Sequence, residues 1–175
     1  MFTIVAAVVL VLIVGVLGFA ATKPNTFRVQ RATLIQVSAE KIFPLINDLH
    51  SWGDWSPWEK VDPGMKRSFG GAASGTGAVY EWEGNSKVGK GRMEIMEINP
   101  PSKITIKLDF LKPIEGHNTA EFTLEPKGAA TDVTWAMYGP NRFISKLFHV
   151  FLNIESMVGK EFDKGLANLK TIAEK

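Results

Sequence analysis

Apolar residues recur at spacings of three and four along the last stretch of the chain, Asn141 to Lys175. Ile144, Leu147, Phe148, Phe151, Leu152, Met157, Val158, Phe162, Leu166, Leu169 and Ile172 fall on one broad stripe, the signature of a helix with a face to bury. The pattern predicts one long amphipathic helix or a short helix running into a long one, with Asn141 able to cap its start. Gly159 and Gly165 interrupt the stripe. Each costs about 1 kcal/mol relative to alanine inside a helix, so each implies a neighbour packed close or room left for a bound molecule.

The opposite end has no polar face at all. Met1 to Ala21 carries no charged residue, and as a helix it reaches roughly 32 Å, enough for the hydrocarbon core of a bilayer. A cleaved signal peptide is the competing reading, because Gly18 and Ala20 could precede a cut. Against it, no Lys or Arg comes first and the apolar run exceeds the usual signal core. The expected organisation is a transmembrane anchor over residues 1–22, a linker over 23–26 and one domain over 27–175. Lys23, Arg28 and Arg31 follow the span, a charge bias that favours the domain of this single-pass protein on the cytoplasmic side.

Between these ends the period is two. Phe27, Val29, Thr33, Ile35 and Val37 share one parity of a strand, and Arg31 falls among them, either as an inward anion-binding group or relieved by a bulge or strand end. Ser38 can cap a short helix bearing Ile42, Phe43, Leu45 and Ile46, with Pro44 tolerable in its opening turns. Trp52, Trp55 and Trp58 follow at spacings of three, broken by Gly53 and Pro57; they close one end of the core, line the mouth of a pocket, or meet a membrane interface. Strands are then expected around Tyr80 and Trp82, around Met93 and Ile95, over Ile104–Phe110, over Ala120–Leu124 and over Val133–Met137. A consecutive antiparallel meander with one long helix to cover it defines an α+β two-layer domain.

Composition narrows the chemistry. The net charge is +2 with no run of basic residues, which makes nucleic acid an improbable partner. There is no cysteine, which excludes disulfides and thiolate metal sites. No metal-ligand spacing, phosphate loop or Gly-x-Ser-x-Gly elbow is present, and nothing calls for a cofactor. His117 and Glu121 stand about 13 Å apart along one strand face and make no obvious acid/base pair. Asp48, His50 and Asp54 have cheaper roles in turns and caps, and His149 falls opposite much of the apolar stripe.

The stretches Ser38-Ala-Glu-Lys-Ile-Phe-Pro-Leu-Ile-Asn-Asp-Leu-His-Ser-Trp52, Trp55-Ser-Pro-Trp58, Gly75-Thr-Gly-Ala-Val-Tyr-Glu-Trp-Glu-Gly84, Trp135-Ala-Met-Tyr-Gly-Pro140 and Gly165-Leu-Ala-Asn-Leu-Lys170 resemble the START-like superfamily, also called SRPBCC. Within it they are similar to the bacterial polyketide cyclase/dehydrase and lipid-transport group. The resemblance covers residues from about 27 to 174 and is specific for fold more than for activity. It implies a helix-grip fold, a curved antiparallel sheet around the long C-terminal helix, with a hydrophobic cavity between them. The inward strand parities would supply Tyr80, Trp82, Met93, Phe110, Phe122, Trp135 and Met137 to the lining, and the helix Phe151, Val158 and Phe162, with Trp52, Trp55 and Trp58 at the mouth. If these side chains meet, the space is an ordinary core; if the sheet bows away, it is a pocket suited to lipids or aromatic rings. The first expectation is thus a membrane-tethered module binding a hydrophobic small molecule or lipid without covalent chemistry. The second is a cyclase or dehydratase using Asp48, His50, Tyr80 or Arg31, and the third a protein-interaction scaffold with a filled core.

Overall fold

A computed structural model describes residues 2–141, 146–147 and 153–175. An apolar helix α1 (Phe2–Thr22) leads into β1 (Thr26–Ile35). Then come α2 (Ala39–Asn47), a 3₁₀ turn (Leu49–Ser51), the single-turn α3 (Trp52–Trp55) and a second 3₁₀ turn (Pro57–Lys60). Six strands follow: β2 (Lys66–Gly71), β3 (Ala78–Glu83), β4 (Lys90–Asn99), β5 (Lys103–Lys112), β6 (Gly116–Lys127) and β7 (Ala130–Pro140). The chain ends in α4 (Ile154–Ala173). All seven strands form one curved antiparallel sheet in the order β1-β7-β6-β5-β4-β3-β2. Thus β2 to β7 are a meander, and β1 returns to pair with β7.

One face of this sheet is dry and the other meets water, as expected of antiparallel strands covered on one side. On β5, Ile104, Ile106 and Leu108 are buried while Lys103 and Lys107 are exposed. A bulge near Met96 in the β4–β5 pairing shifts the register. Met96 is left exposed, and Ile98 rejoins the inward set that Met93 and Ile95 begin. Such a bulge adds local twist and helps to bend the sheet around the helix.

The C-terminal helix is not one unbroken rod from Asn141. Asn153 is non-helical and caps α4, its side-chain oxygen accepting from Ser156 N at 3.0 Å. Asn141 is instead buried at the end of β7, where its backbone N donates to Asn25 O and its Nδ2 to Pro24 O. It ties the sheet to the segment after α1. Ile144, Phe148, His149, Phe151 and Leu152 lie outside the described residues. Within α4, Phe162, Leu166 and Leu169 are buried, whereas Met157 is exposed. Five residues before Phe162, Met157 points roughly 140° away from it around the helix.

Arg31 is inward, and no bulge relieves it, because β1 pairs with β7 in continuous register from Thr26 to Ile35. Its guanidinium instead reaches α4, meeting Glu155 at 2.8 Å and Asp163 at 3.3 Å, and stays 27 % exposed. Those carboxylates hold its pKa above the usual arginine value, the Glu155 hydrogen bond most of all. The two helix glycines now differ in meaning. A Cβ at Gly159 would fall 2.0 Å from the tip of Arg31, while one at Gly165 would fall 2.7 Å from Trp135 Cζ3 and 3.1 Å from Pro57 Cδ. Gly159→Ala displaces only a flexible, solvated ion pair, which contributes little, and gains about 1 kcal/mol of helix propensity. It should be near neutral. Gly165→Ala presses on rigid rings, an overpacking that costs about 1–3 kcal/mol, and should lower the unfolding midpoint clearly; thermal denaturation of the two variants side by side checks the order.

Candidate functional site: an aromatic cavity under the C-terminal helix

The indole N–H groups fix the Trp-rich segment. Trp52 Nε1 donates to Ile46 O and Trp55 Nε1 to Leu45 O, both at 2.9 Å, so carbonyls in the last turn of α2 receive partners. Asn168 Nδ2 on α4 donates to Trp55 O at 3.0 Å and locks the segment to the helix. Ser56 then adopts an extended backbone, φ −64° and ψ 128°, as a residue before proline must, and the following 3₁₀ turn brings Trp58 and Glu59 against the sheet.

Between this segment, the sheet and α4 the chain leaves a cavity of about 250 Å³. From the sheet, Tyr80 and Trp82 on β3, Met93 on β4, Leu108 and Phe110 on β5, Ala120 on β6 and Trp135 and Met137 on β7 line it. Val158 and Phe162 close it from α4, and Trp52, Ser56, Trp58, Glu59 and Met65 from the connecting segment. Lys87 and Val88, in the turn after β3, complete the wall, with Lys87 exposed to solvent. Trp82 crosses over Gly91, where a Cβ would sit 2.3 Å from its ring, and its Nε1 donates to Val88 O at 3.1 Å. That hydrogen bond ties the ring to the turn that carries Lys87.

Of the expected lining, Phe122 stands elsewhere. It is fully buried behind the wall, edge-on to Trp52 and Trp55 and stacked on Trp135. Phe151 is outside the described residues. The three tryptophans separate too. Trp52 is buried in the inner wall, Trp58 is half-buried in it, and Trp55, 0 % exposed, belongs to the core rather than to any mouth. Its ring packs on Trp135 and its N–H is already satisfied.

Polar atoms are few here but specifically placed. The Tyr80 hydroxyl donates to Glu59 Oε1 at 2.5 Å, and Arg67 Nε reaches Glu59 Oε2 at 2.5 Å. Burial first, and then the hydrogen bond to Glu59, push the Tyr80 pKa well above its ordinary value, so the phenol stays protonated at neutral pH. Trp135 Nε1 is buried and meets no acceptor among the described residues. Neither Glu59 nor Ser56 stood out in the sequence. The usable signal was their spacing of three across Pro57, because a 3₁₀ turn eclipses positions i and i+3.

The remaining chemical candidates lie away from the cavity. Asp48 Oδ1 accepts from His50 N and contacts the His50 ring, which stacks on Phe69 at 4.1 Å. Asp54 is exposed on α3, Arg31 is held by α4, and Glu121 pairs with Arg28 and Lys103. His117 sits between Asp109 (2.7 Å) and Glu115 (3.1 Å), whose hydrogen bonds raise its pKa above the usual histidine value. A raised folded pKa means that this contribution is complete below the unfolded value of about 6.5 and fades as pH rises through the higher folded one. An NMR titration should place the His117 midpoint above that of a model histidine, with protection of the β5–β6 hairpin amides, taken relative to the intrinsic exchange rate at each pH, falling on the alkaline side.

The fold recurs widely. A major latex-like protein from Panax ginseng aligns with a TM-score of 0.62 at 13% identity, over 87% of this chain and 100% of its own. The Aha1 dimer protein from Colwellia psychrerythraea aligns with a TM-score of 0.61 at 15% identity, over 85% and 96%. The di-domain ARO/CYC BexL from the BE-7585A biosynthetic pathway gives 0.64 at 13% identity, over 90% of this chain and 53% of its own. At such identities the likeness is one of fold alone. No curated protein sequence matches the chain. The family model for polyketide cyclase / dehydrase and lipid transport matches residues 26–174, nearly the whole of the folded part, and the chain belongs to that family.

Proposed function

We propose that the protein is a membrane-tethered binding module that holds a hydrophobic small molecule or lipid between the sheet and α4. The observation that carries this reading is the cavity of about 250 Å³ walled by aromatic and aliphatic side chains. Apolar walls with a few placed polar groups suit such ligands, and the volume falls just under the roughly 300–1,000 Å³ typical of ligand pockets. A small molecule, or one segment of a larger lipid, is the matching occupant. The open space also weighs against a scaffold with a filled core.

The tether is α1, which is long and apolar enough to cross a membrane. In this reading residues 1–22 anchor the chain, 23–26 link and 27–175 bind, with Lys23, Arg28 and Arg31 favouring the cytoplasmic side. Anchoring raises the encounter rate with ligands concentrated in the bilayer. Turnover by a cyclase or dehydratase is the second reading, and the Tyr80–Glu59 pair is the observation in its favour. A phenol held protonated offers hydrogen bonding more readily than proton abstraction, so binding without chemistry comes first.

Native mass spectrometry of the full-length protein extracted from membranes tests the proposal. Co-purified apolar mass, released by solvent extraction and replaced by an uncharged fluorescent lipid analogue, is the expected result. A protein that arrives empty and takes up no apolar probe would sink it.

A further inference from the structure

We propose that Glu59 determines the polarity of the ligand: the cavity selects an uncharged apolar molecule that carries a hydroxyl group and turns away carboxylates. The inference deepens the binding reading above and rests on it.

Glu59 stands in the cavity wall with its side chain only 9 % exposed, where its charge is screened far less than one in water. Its two oxygens accept from Tyr80 and Arg67, yet a carboxylate offers about four lone-pair positions. Acceptor capacity therefore remains for a donor that enters the cavity. Arg67 does not line the cavity and pairs with Glu59 from behind the wall, offsetting much of its charge: its Nε meets Glu59 Oε2, Nη1 donates to Met65 O at 2.7 Å and Nη2 to Glu59 O at 3.2 Å.

A second polar group stands unpartnered in the same wall. Ser56 is 3 % exposed and lines the cavity. Among the described residues its backbone N donates to Trp52 O and its carbonyl accepts from Glu59 N, but its hydroxyl meets nothing. A hydroxyl in the cavity wall with no protein partner is open to a water or a ligand entering there. Ser56 caps the 3₁₀ turn that carries Glu59 three positions later, which sets both side chains on one side of the turn.

A ligand hydroxyl matches this pair, donating to Glu59 or to the Tyr80 oxygen while accepting from Ser56 Oγ. A ligand carboxylate has no donor proton to offer, and the Arg67 cation behind the wall is already paired with Glu59. Lys87, the other charged lining residue, is exposed, where water and salt weaken its pull. The lack of an unpaired buried cation in this lining therefore decides.

The test uses the full-length protein in nanodiscs, titrated at neutral pH with naphthalene, 2-naphthol and 2-naphthoate. Tryptophan fluorescence reports binding, and empty discs correct for partitioning. Naphthol should bind at least about tenfold more tightly than naphthoate, because a carboxylate entering this wall gives up hydration with no free cation to replace it. Glu59→Gln should raise naphthoate affinity and bring the two within about threefold. Ser56→Ala should weaken naphthol several-fold and leave naphthalene unchanged. Naphthoate binding as well as naphthol in the wild type, or an unmoved ratio in Glu59→Gln, would overturn the proposal; naphthalene binding that persists would still leave the cavity a ligand site. Loss of all three ligands in the folded wild type removes both. If Glu59→Gln does not fold, the wild-type ratio and Ser56→Ala decide the matter without it.

Discussion

Trp135→Ala is expected to remove about 3–5 kcal/mol of folding stability, the cost of truncating a large buried aromatic. The indole, 3 % exposed, lies stacked on Phe162 of α4 at 4.2 Å and 7°, and on Phe122 of β6 at 4.9 Å. Trp52, Trp55 and Trp58 meet it edge-on at 5.5–6.1 Å. It is therefore the ring through which sheet, connecting segment and helix all touch, and aromatic pairs of this geometry add about 0.5–1.5 kcal/mol each beyond the area they bury. One term runs the other way, because its N–H is buried without a partner among the described residues. Trp135→Phe deletes that N–H along with part of the ring, so the saved desolvation penalty of about 1–3 kcal/mol offsets much of the lost packing. The phenylalanine variant should accordingly stay within about 2 kcal/mol of wild type. Denaturant unfolding of the full-length chain in detergent, followed by far-UV circular dichroism, separates the two, with an unchanged slope confirming that stability alone has moved. A loss below about 1 kcal/mol for alanine would mean that the aromatic cluster does not hold the layers together.

The residues that could be read from the sequence are those whose burial follows a period. Ile104, Ile106 and Leu108 alternate with polar neighbours, and Val158, Phe162, Leu166 and Leu169 keep helical spacing, so strand, helix and their buried faces follow directly. By contrast β2, Lys66–Gly71, is an edge strand with every residue exposed. Water imposes no alternation on it, and its glycines look like loop. Arg31 and Gly159 were each odd in their own element; only the pairing of β1 with α4 shows that one explains the other. At the cavity, Ala120 and Leu108 share the inward parity of Tyr80, Trp82 and Trp135 and stand in the same wall. Bulk draws the eye to the rings and away from Ala120, whereas a cavity exists where side chains are small. Phe122, two residues from Ala120 on the same face, is large enough to reach the tryptophans and so fills its space.

That contrast makes Ala120→Phe the most informative change to the site. Ala120 is 3 % exposed, pairs with Ile106 on β5 and Met137 on β7, and lines the cavity. A ring attached there projects from the middle of the sheet into the open space. A void of about 150 Å³ is enough to hold a benzene, so the added ring would take up more than half of the available 250 Å³. In a filled core such an insertion would force strain of about 1–3 kcal/mol; into an existing cavity it adds buried apolar surface at about 25 cal/mol per Å². The expected result is therefore a fold as stable as wild type or slightly more so, with affinity for apolar probes reduced by about a hundredfold or more, since several kcal/mol of apolar contact is lost. Full-length Ala120→Phe compared with wild type by thermal unfolding and by probe titration reads both quantities on one sample. Stability lost together with binding would point to a collapsed space rather than an open one. Stability kept with binding unchanged would place the ligand somewhere other than beneath α4.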